Sequence, residues 1–296
     1  MIDPATRPQN PALAVALMVL ATLFIAGTML AAKALGTDVL GAPLHPLQIT
    51  HGRFAFALLG LLGVAAVMRP KIRAVNVKLH LGRTAFGAVG VTLMFAAVAF
   101  IPLADATAIS FLNPVFGMIL AIPFLGEKVG RVRWAAATIA FAGAVVLLRP
   151  GPDSFQVAAL LALGAALALG FELIFIKKLS GREPPLQILL INNMIGWLLN
   201  STVMIPYWAP PTGAQWAALV ALGLMMACAQ TCFVNAVARA DASYVTPFSY
   251  LTLIFAALYD WAIFAVVPDW VSAMGAAIII SGAALLAWRE ALARRR

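Results

Sequence analysis

Charged, cysteine and histidine residues are scarce in this chain of 296 residues. Charged side chains make up 10% of the sequence and hydrophobic ones 63%, which is more apolar surface than a water-soluble core can hide. We therefore expect lipid to be the main solvent of the protein. The two cysteines, Cys228 and Cys232, have no histidine or carboxylate near them in sequence, which favours helix packing over metal binding.

Several motifs that carry chemistry are also absent. The sequence contains no G-x-x-x-x-G-K-[ST], H-E-x-x-H or G-x-S-x-G pattern, which argues against ATP hydrolysis, zinc proteolysis and serine hydrolysis. The net charge of +9 comes from basic residues that lie between apolar runs rather than in one patch. This pattern predicts membrane orientation rather than nucleic-acid binding. We expect no cofactor and no enzymatic activity.

Apolar runs of about 20 residues are long enough to cross a bilayer. We count ten, separated by short breaks that contain proline, glycine or charge, and no segment is typical of a separate soluble domain. The first run is too long for a signal-peptide core, so we expect it to remain as a span. The ten spans are predicted at 12–34, 46–68, 79–100, 103–124, 131–149, 155–178, 186–207, 215–238, 243–266 and 269–288.

Lysine and arginine sort strongly by side when the chain is threaded through these ten spans. With a cytoplasmic N-terminus, all 20 except Lys33, Arg149 and the intramembrane Arg53 fall on the cytoplasmic side. Cytoplasmic loops are enriched in basic residues, so this distribution predicts an N-terminus and a C-terminus in the cytoplasm. It also supports the span count, because removing one span would invert every later loop. We expect a multi-pass protein of a bacterial-type inner (plasma) membrane.

An internal repeat divides the chain into two halves. Asp105 and Asp241 are 136 residues apart, and the similar segments Ala140–Leu148 and Ile279–Ala287 are 139 apart. The repeats correspond to spans 1–5 and 6–10, so we expect units at 1–150 and 151–296. Five is odd, so the second unit enters the membrane inverted. The predicted fold is all-α and integral to the membrane, with ten helices in a five-plus-five inverted repeat of the secondary-transporter kind.

Spans 4 and 5 resemble the EamA-type repeat of the drug/metabolite transporter superfamily. The features that carry the resemblance are a mid-helix Pro114, the turn Gly126-Glu127-Lys128 and the late Gly143. Lys33 and Arg53 also match places where that family often carries a basic residue. Within the family the chain is most similar to the aromatic amino acid exporters. The second copy departs from the pattern, because Ile263 stands where Glu127 would recur.

The resemblance implies a small-metabolite exporter or exchanger. We expect it to export its substrate by alternating access, with an aromatic or other neutral amino acid as that substrate. Two alternatives stay open: a passive facilitator or channel for small solutes, and a membrane-embedded transferase. The transferase would need a cluster of catalytic polar residues at one interface, which the sequence does not offer. Besides lipid and the substrate, no partner is indicated. The oligomeric state is left open, with a monomer as the working expectation.

Ionisable residues inside spans are functional candidates, because burying charge in lipid is expensive. Arg53 and Asp260 are predicted at similar depth, and we expect them to pair or to share an outer cavity; the alternative is that each packs separately. Glu172 has no basic residue one turn away on its own helix. It is a candidate for proton coupling or for binding a substrate ammonium, and the alternative is an ordinary vestibule carboxylate.

Uncharged residues complete the candidate central cavity. Pro114 removes a backbone donor within span 4, and Pro247 occupies the related region of span 9, so both are predicted to kink their helices at the substrate path. Asn192 and Asn193 are expected only to hydrogen-bond between helices. With Glu172, the predicted cavity residues are Asn113, Gln230, Tyr250 and Met94.

Overall fold

The computed structural model describes residues 10–70, 72–126, 129–148, 157–179, 182–239 and 246–294. Within these residues the secondary structure is helical, with short 3-10 turns at Asp38–Leu40, Ile205–Tyr207 and Thr246–Tyr250. The α-helices are α1 Pro11–Gly36, α2 Pro46–Met68, α3 Val77–Val98, α4 Leu103–Ser110, α5 Asn113–Leu125, α6 Arg131–Leu148, α7 Val157–Leu179, α8 Pro185–Val203, α9 Gly213–Val237, α10 Leu251–Phe264 and α11 Trp270–Arg294.

The lengths and hydropathies of these helices are those of an integral membrane protein. In the described part of the chain, seven helices are long and apolar enough to cross a membrane, and three shorter ones are also apolar. Each predicted span falls on one of these ten. Span 4 is the exception in form, because it divides into α4 and α5. The break directly precedes Asn113 and Pro114, where the proline ring removes a backbone donor.

Local sequence explains where several helices begin. The side chains of Asn10 and Asn76 accept hydrogen bonds from the backbone N–H groups of Leu13 and Leu79 at the starts of α1 and α3. Thr212 and Gln215 bond each other's backbone N–H groups at the start of α9. These contacts satisfy donors that the first turn of a helix leaves free, and they fix the ends of the spans.

The packing of the helices repeats between the two halves of the chain. Exchanging each span for its counterpart, five spans later or earlier, converts the α1–α9 contact (spans 1 and 8) into the α7–α3 contact (spans 6 and 3). Both contacts are among the most extensive. Three further contacts join a span to its own counterpart: α2 with α8, α4 with α10, and α6 with α11. One exchange of spans therefore relates these contacts to one another.

Spans 5 and 10 show the relation residue by residue. A Cβ atom on Gly143 would lie 2.7 Å from the backbone N of Ile279, and one on Gly282 would lie 2.6 Å from the backbone N of Ala140. Both correspondences are 139 residues, the spacing of the repeated segments. The two glycines therefore let the helix backbones approach closely in a reciprocal contact. Asp241, the other marker of the repeat, lies outside the described residues, as do Glu127 and Lys128.

Candidate functional site

Three charged side chains meet inside the bundle, one each from α2, α3 and α7. Nε of Arg83 lies 3.3 Å from Oε1 of Glu172, and Nη1 of Arg83 donates to the Ile188 carbonyl at 3.0 Å. Arg53 lies within electrostatic reach of both Glu172 and Arg83. Arg53 and Arg83 are each only 6% exposed. Glu172, which lacks a basic neighbour on its own helix, thus receives one from α3. We call these three residues the central cluster.

Glycines on neighbouring helices make room for the cluster. A Cβ atom on Gly87 would lie 3.0 Å from the carboxyl carbon of Glu172, so the glycine lets α3 approach that carboxylate without displacing it. A Cβ atom on Gly196 would lie 2.4 Å from the Phe54 ring. The ring in turn lies 4.4 Å from the guanidinium carbon of Arg53. Close packing from α8 therefore holds the aromatic face against which Arg53 rests.

Polar side chains near the cluster bond between helices. Thr84 of α3 donates to the side chain of Asn192 at 3.0 Å, and Asn193 of α8 donates to Oε1 of Gln230 at 3.3 Å. This is the interhelical role expected of Asn192 and Asn193. Gln230 is thereby engaged with α8, and it also borders an apolar groove of about 280 Å³ between α1, α8 and α9.

The predicted pairing of Arg53 with Asp260 is wrong. Nζ of Lys33 lies 2.6 Å from Oδ1 of Asp260, and the other carboxylate oxygen accepts the backbone N–H of Leu103 at the start of α4. The reason is the packing order: α10 lies against α1, while Arg53 is directed toward α3 and α7. The positions of Arg53 and Asp260 within their spans predicted that both lie in the membrane. They did not predict which neighbouring helix each side chain faces.

The remaining predicted residues are not gathered around the central cluster. The ring of Tyr250 meets that of Phe111 edge-on at 5.1 Å, joining the break of span 4 to the start of α10. Asn113 and Pro114 open α5 beside this contact. Met94 is 3% exposed and packs in the main apolar core. Pro247 belongs to the 3-10 turn before α10, and its side chain lies outside the described part of the chain.

Two glutamines that the sequence reasoning missed each bind one backbone residue through both amide atoms. Gln48 donates to the Ala209 carbonyl at 2.7 Å and accepts from its N–H at 3.1 Å. Gln187 donates to the Arg73 carbonyl at 3.1 Å and accepts from its N–H at 2.7 Å. We call these the Gln48 clamp and the Gln187 clamp.

The clamps had a signal in the sequence. Each glutamine is the third residue of Pro-Leu-Gln-Ile, at 46–49 and again at 185–188, which is the 139-residue spacing of the repeat. The Gln48 clamp lies where α1 ends and α2 begins, near Lys33, and we call that side the Lys33 end. The Gln187 clamp lies where α7 ends and α8 begins, near Glu183, and we call that side the Glu183 end.

The central cluster is separate from the grooves of the surface. A groove of about 420 Å³ lies between α4, α10 and α11, and its lining is mostly apolar. Neither this groove nor the one beside Gln230 includes Arg53, Arg83 or Glu172. The helices largely enclose the cluster: Arg53 and Arg83 are each 6% exposed, and the Glu172 side chain is 16% exposed. Ionisable residues within membrane spans commonly mark the pathway of a substrate or an ion.

Fold and buried charge together define a membrane transporter, and the comparison with known families agrees. The chain matches the EamA-like transporter family over residues 12–149 and again over 156–288. It therefore belongs to that family, which confirms the superfamily resemblance seen in the sequence. The presence of two matched segments accords with the repeated helix packing.

Individual relatives carry different substrates in their names. The chain is 33% identical to a riboflavin transporter of Vibrio cholerae serotype O1, over 77% of this chain and 78% of that protein. It is 28% identical to an S-adenosylmethionine uptake transporter of Rickettsia felis, covering 87% and 88%. It is also 27% identical to the pseudopaline exporter CntI of Pseudomonas aeruginosa, covering 69% and 73%.

A solved crystal structure shares the fold. It aligns with 97% of this chain and 100% of its own with a TM-score of 0.62 at 21% identity. The named relatives above are transporters of riboflavin, S-adenosylmethionine and pseudopaline, so the expected likeness to aromatic amino acid exporters finds no support among them.

Proposed function

We propose that this protein is a secondary transporter that moves a small polar metabolite through the central cluster by alternating access. The observation that carries the proposal is the buried arrangement of Arg53, Arg83 and Glu172. It lies between two helix groups, one built around α1 and α9 and the other around α3 and α7. Because charges within membrane spans are costly and rare, a role in binding a transported ligand or ion is the default hypothesis for them.

The proposed topology has ten spans in two inverted halves, residues 1–150 and 151–296, with both termini in the cytoplasm. The sorting of lysine and arginine supports this orientation. The exchangeable helix contacts and the reciprocal glycines of spans 5 and 10 support the two-fold relation. In this topology the Lys33 end faces outward, the Glu183 end faces the cytoplasm, and the protein resides in an inner or plasma membrane.

The closed state would open at one end at a time. At the Lys33 end, Asp260 links α1 to α10 through Lys33 and also accepts the Leu103 N–H at the start of α4, so it joins α1 and α10 to α4. Ser272 of α11 donates to Asp105 of α4 at 3.0 Å on the same side. We propose that these contacts break when the Lys33 end opens. The break in span 4, near Pro114, and the 3-10 turn before α10, which contains Pro247, would act as the hinges.

The substrate we propose is of the kind named for the relatives rather than a free aromatic amino acid. Riboflavin and S-adenosylmethionine are the first compounds to test, since the relatives named for them match most of this chain. Relatives named for uptake and for export both occur, so the substrate gradient or a coupled ion would set the direction. Proton coupling and ammonium binding are both proposed roles for Glu172.

Transport by purified protein in liposomes tests this function. We expect saturable uptake of labelled riboflavin or S-adenosylmethionine, reduced at least about tenfold by Glu172→Gln because the carboxylate partner of Arg83 is lost. Asp38→Asn is the matched control: this carboxylate is exposed, and its substitution should leave the rate unchanged. Flux no greater than in empty liposomes for both compounds, or full flux in Glu172→Gln, contradicts the proposal. Single-channel currents would favour the passive facilitator.

A further inference from the structure

Arg53 has the properties of a binding group whose partner is missing. It is 6% exposed, and within the described part of the chain its Nε and Nη1 atoms have no hydrogen-bond partner. The Phe54 ring covers one face of the guanidinium. Leaving donors of a charged group unsatisfied in a buried site costs free energy, so the arrangement is maintained only if another requirement favours it.

Arg83 lies in the same cluster and has partners that Arg53 lacks, although its Nε takes part in an ion pair and not in a hydrogen bond. Its Nη1 bonds the Ile188 carbonyl, and its Nε faces the Glu172 carboxylate at 3.3 Å. Glu172 is therefore already neutralised by one arginine, and the central cluster carries one positive charge more than it can balance. Arg53 holds that excess, with the planar donor set that matches oxygen anions.

We propose that Arg53 binds an anionic oxygen group of the transported metabolite, a carboxylate or a phosphate. The inference rests on the proposed function and predicts that, among candidate metabolites, those that carry such a group bind more tightly than those that lack it. The anion would neutralise the central cluster and supply acceptors for the free Nε and Nη1 donors. Close packing by Gly196 against Phe54 keeps the guanidinium in place before the ligand arrives, which lowers the cost of binding.

Two pairs of compounds, each differing in a single anionic group, test the charge requirement. Riboflavin 5′-phosphate against riboflavin tests a phosphate, and S-adenosylmethionine against its decarboxylated analogue tests a carboxylate. Binding is measured on the purified full-length protein from the ligand-induced rise in unfolding temperature. We expect the anionic member of at least one pair to bind about 10- to 100-fold more tightly, the range for a hydrogen bond to a charged group.

Variants at two basic positions distinguish anion binding by Arg53 from a general attraction of anions to a positively charged protein. Arg53→Gln should reduce the preference within the pair to about threefold or less, and Arg53→Lys should retain part of it. Lys78→Gln removes an exposed positive charge at the start of α3 and should keep the full preference. Arg53→Lys also shows whether a loss in Arg53→Gln reflects misfolding.

The outcomes distinguish this inference from the proposed function. Equal binding of both members in both pairs, or no binding by either anionic compound, overturns the role of Arg53. A preference that persists in Arg53→Gln overturns it as well. If the unmodified protein still transports riboflavin or S-adenosylmethionine in liposomes under those results, the transport function stands and only the anion site is lost.

Discussion

The Gln48 and Gln187 clamps, at opposite ends of the molecule, make the same pair of backbone hydrogen bonds but have different neighbouring residues. The Gln48 clamp is bordered by uncharged contacts, in which Thr212 donates to the Leu40 carbonyl and Gln215 to the Ala42 carbonyl. At the other end, Nε2 of Gln187 also donates to Glu183 at 2.7 Å. Glu183 further accepts from the Asn76 N–H at 3.0 Å and from His80 at 2.9 Å.

The repeat spacing shows which residues differ between the two ends of the molecule. Glu183 corresponds to Leu44 at a spacing of 139, and His80 corresponds to Trp216 at a spacing of 136. The Pro-Leu-Gln-Ile segments are identical, and so are their paired backbone bonds. The comparison teaches that both clamps join a loop to a helix start through a glutamine, whereas charged residues take part in the clamp only at the Glu183 end. At the Lys33 end the charge lies between helices, in the Lys33–Asp260 pair.

The largest expected effect comes from breaking that ion pair. Asp260→Asn leaves the buried Lys33 without its counter-charge, and we expect a loss of about 3–5 kcal/mol in the free energy of unfolding. The measurement is equilibrium unfolding in mixed detergent micelles. Lys33→Met in addition should recover much of the loss, because no unpaired charge then remains. A loss below about 1 kcal/mol for Asp260→Asn, similar to that of an exposed control such as Asp38→Asn, would contradict the account.

The clamps themselves provide the next comparison. Gln48→Leu removes two hydrogen bonds and Gln187→Leu removes three, so we expect losses of about 2 and about 3 kcal/mol at roughly 1 kcal/mol per bond. The same unfolding assay measures both. Hydrogen exchange of the backbone N–H groups of Ala209 and Arg73 reports each clamp locally. A loss for Gln48→Leu that exceeds the one for Gln187→Leu would show that the link to Glu183 adds nothing.

The two glycines at the contact between spans 5 and 10 should respond alike to substitution. Gly143→Ala and Gly282→Ala each place a methyl group about as close to a backbone of the opposite helix, at 2.7 and 2.6 Å. We expect each to cost about 1–3 kcal/mol by overpacking, with nearly equal values. Gly63→Ala is the control, since nothing lies within 4 Å of its added Cβ atom. A large effect at only one of the two glycines would break the proposed two-fold relation at spans 5 and 10.

The smallest expected effect is a pH dependence confined to the Glu183 end. Burial raises the pKa of Glu183, but its hydrogen bonds with the Asn76 N–H, His80 and Gln187 outweigh this and hold the pKa below the usual value. The stability from this carboxylate is therefore fully present above the unfolded value of about 4.3 and is lost as the pH falls through the lower folded pKa.

Unfolding temperatures between pH 7 and pH 3.5 measure this dependence. Glu183→Gln should lower the unfolding temperature at neutral pH and flatten its decline in acid, because the substituted group no longer titrates. Gln48→Leu should leave the shape of the acid decline unchanged. An acid decline in Glu183→Gln as steep as in the unmodified chain would assign the sensitivity to another group.

Much of the fold could be predicted from the sequence, because a helix that crosses a bilayer needs about 20 mostly apolar residues. Each predicted span coincides with a long or a shorter apolar helix of the described chain. The break in span 4 was harder, since Pro114 indicates a disturbance but not that two separate helices result. The repeat spacing of 139 residues matches the reciprocal contacts of Gly143 with Ile279 and of Gly282 with Ala140, but the sequence did not predict that α6 packs on α11.

The candidate site was predicted less completely, for a geometric reason. Arg53, Asp260 and Glu172 were identified because charge in a span is rare, but their partners lie on other helices. Lys33 and Arg83 were assigned to the ends of spans, so neither was expected as the partner of an intramembrane carboxylate. One sequence does not reveal the order in which ten helices pack. Placing the wrong helix next to α10 therefore assigned Arg53, instead of Lys33, as the partner of Asp260.

Counterflow in liposomes tests the central claim most directly, namely that a site containing the central cluster is exposed to one end at a time. Vesicles are loaded with unlabelled riboflavin, and labelled riboflavin is then added outside; S-adenosylmethionine is tested in the same way. A carrier accumulates label transiently above equilibrium, and we predict this overshoot for the unmodified chain and its loss in Glu172→Gln. Label that only approaches equilibrium without overshoot for both compounds, or an overshoot unchanged in Glu172→Gln, would contradict the account.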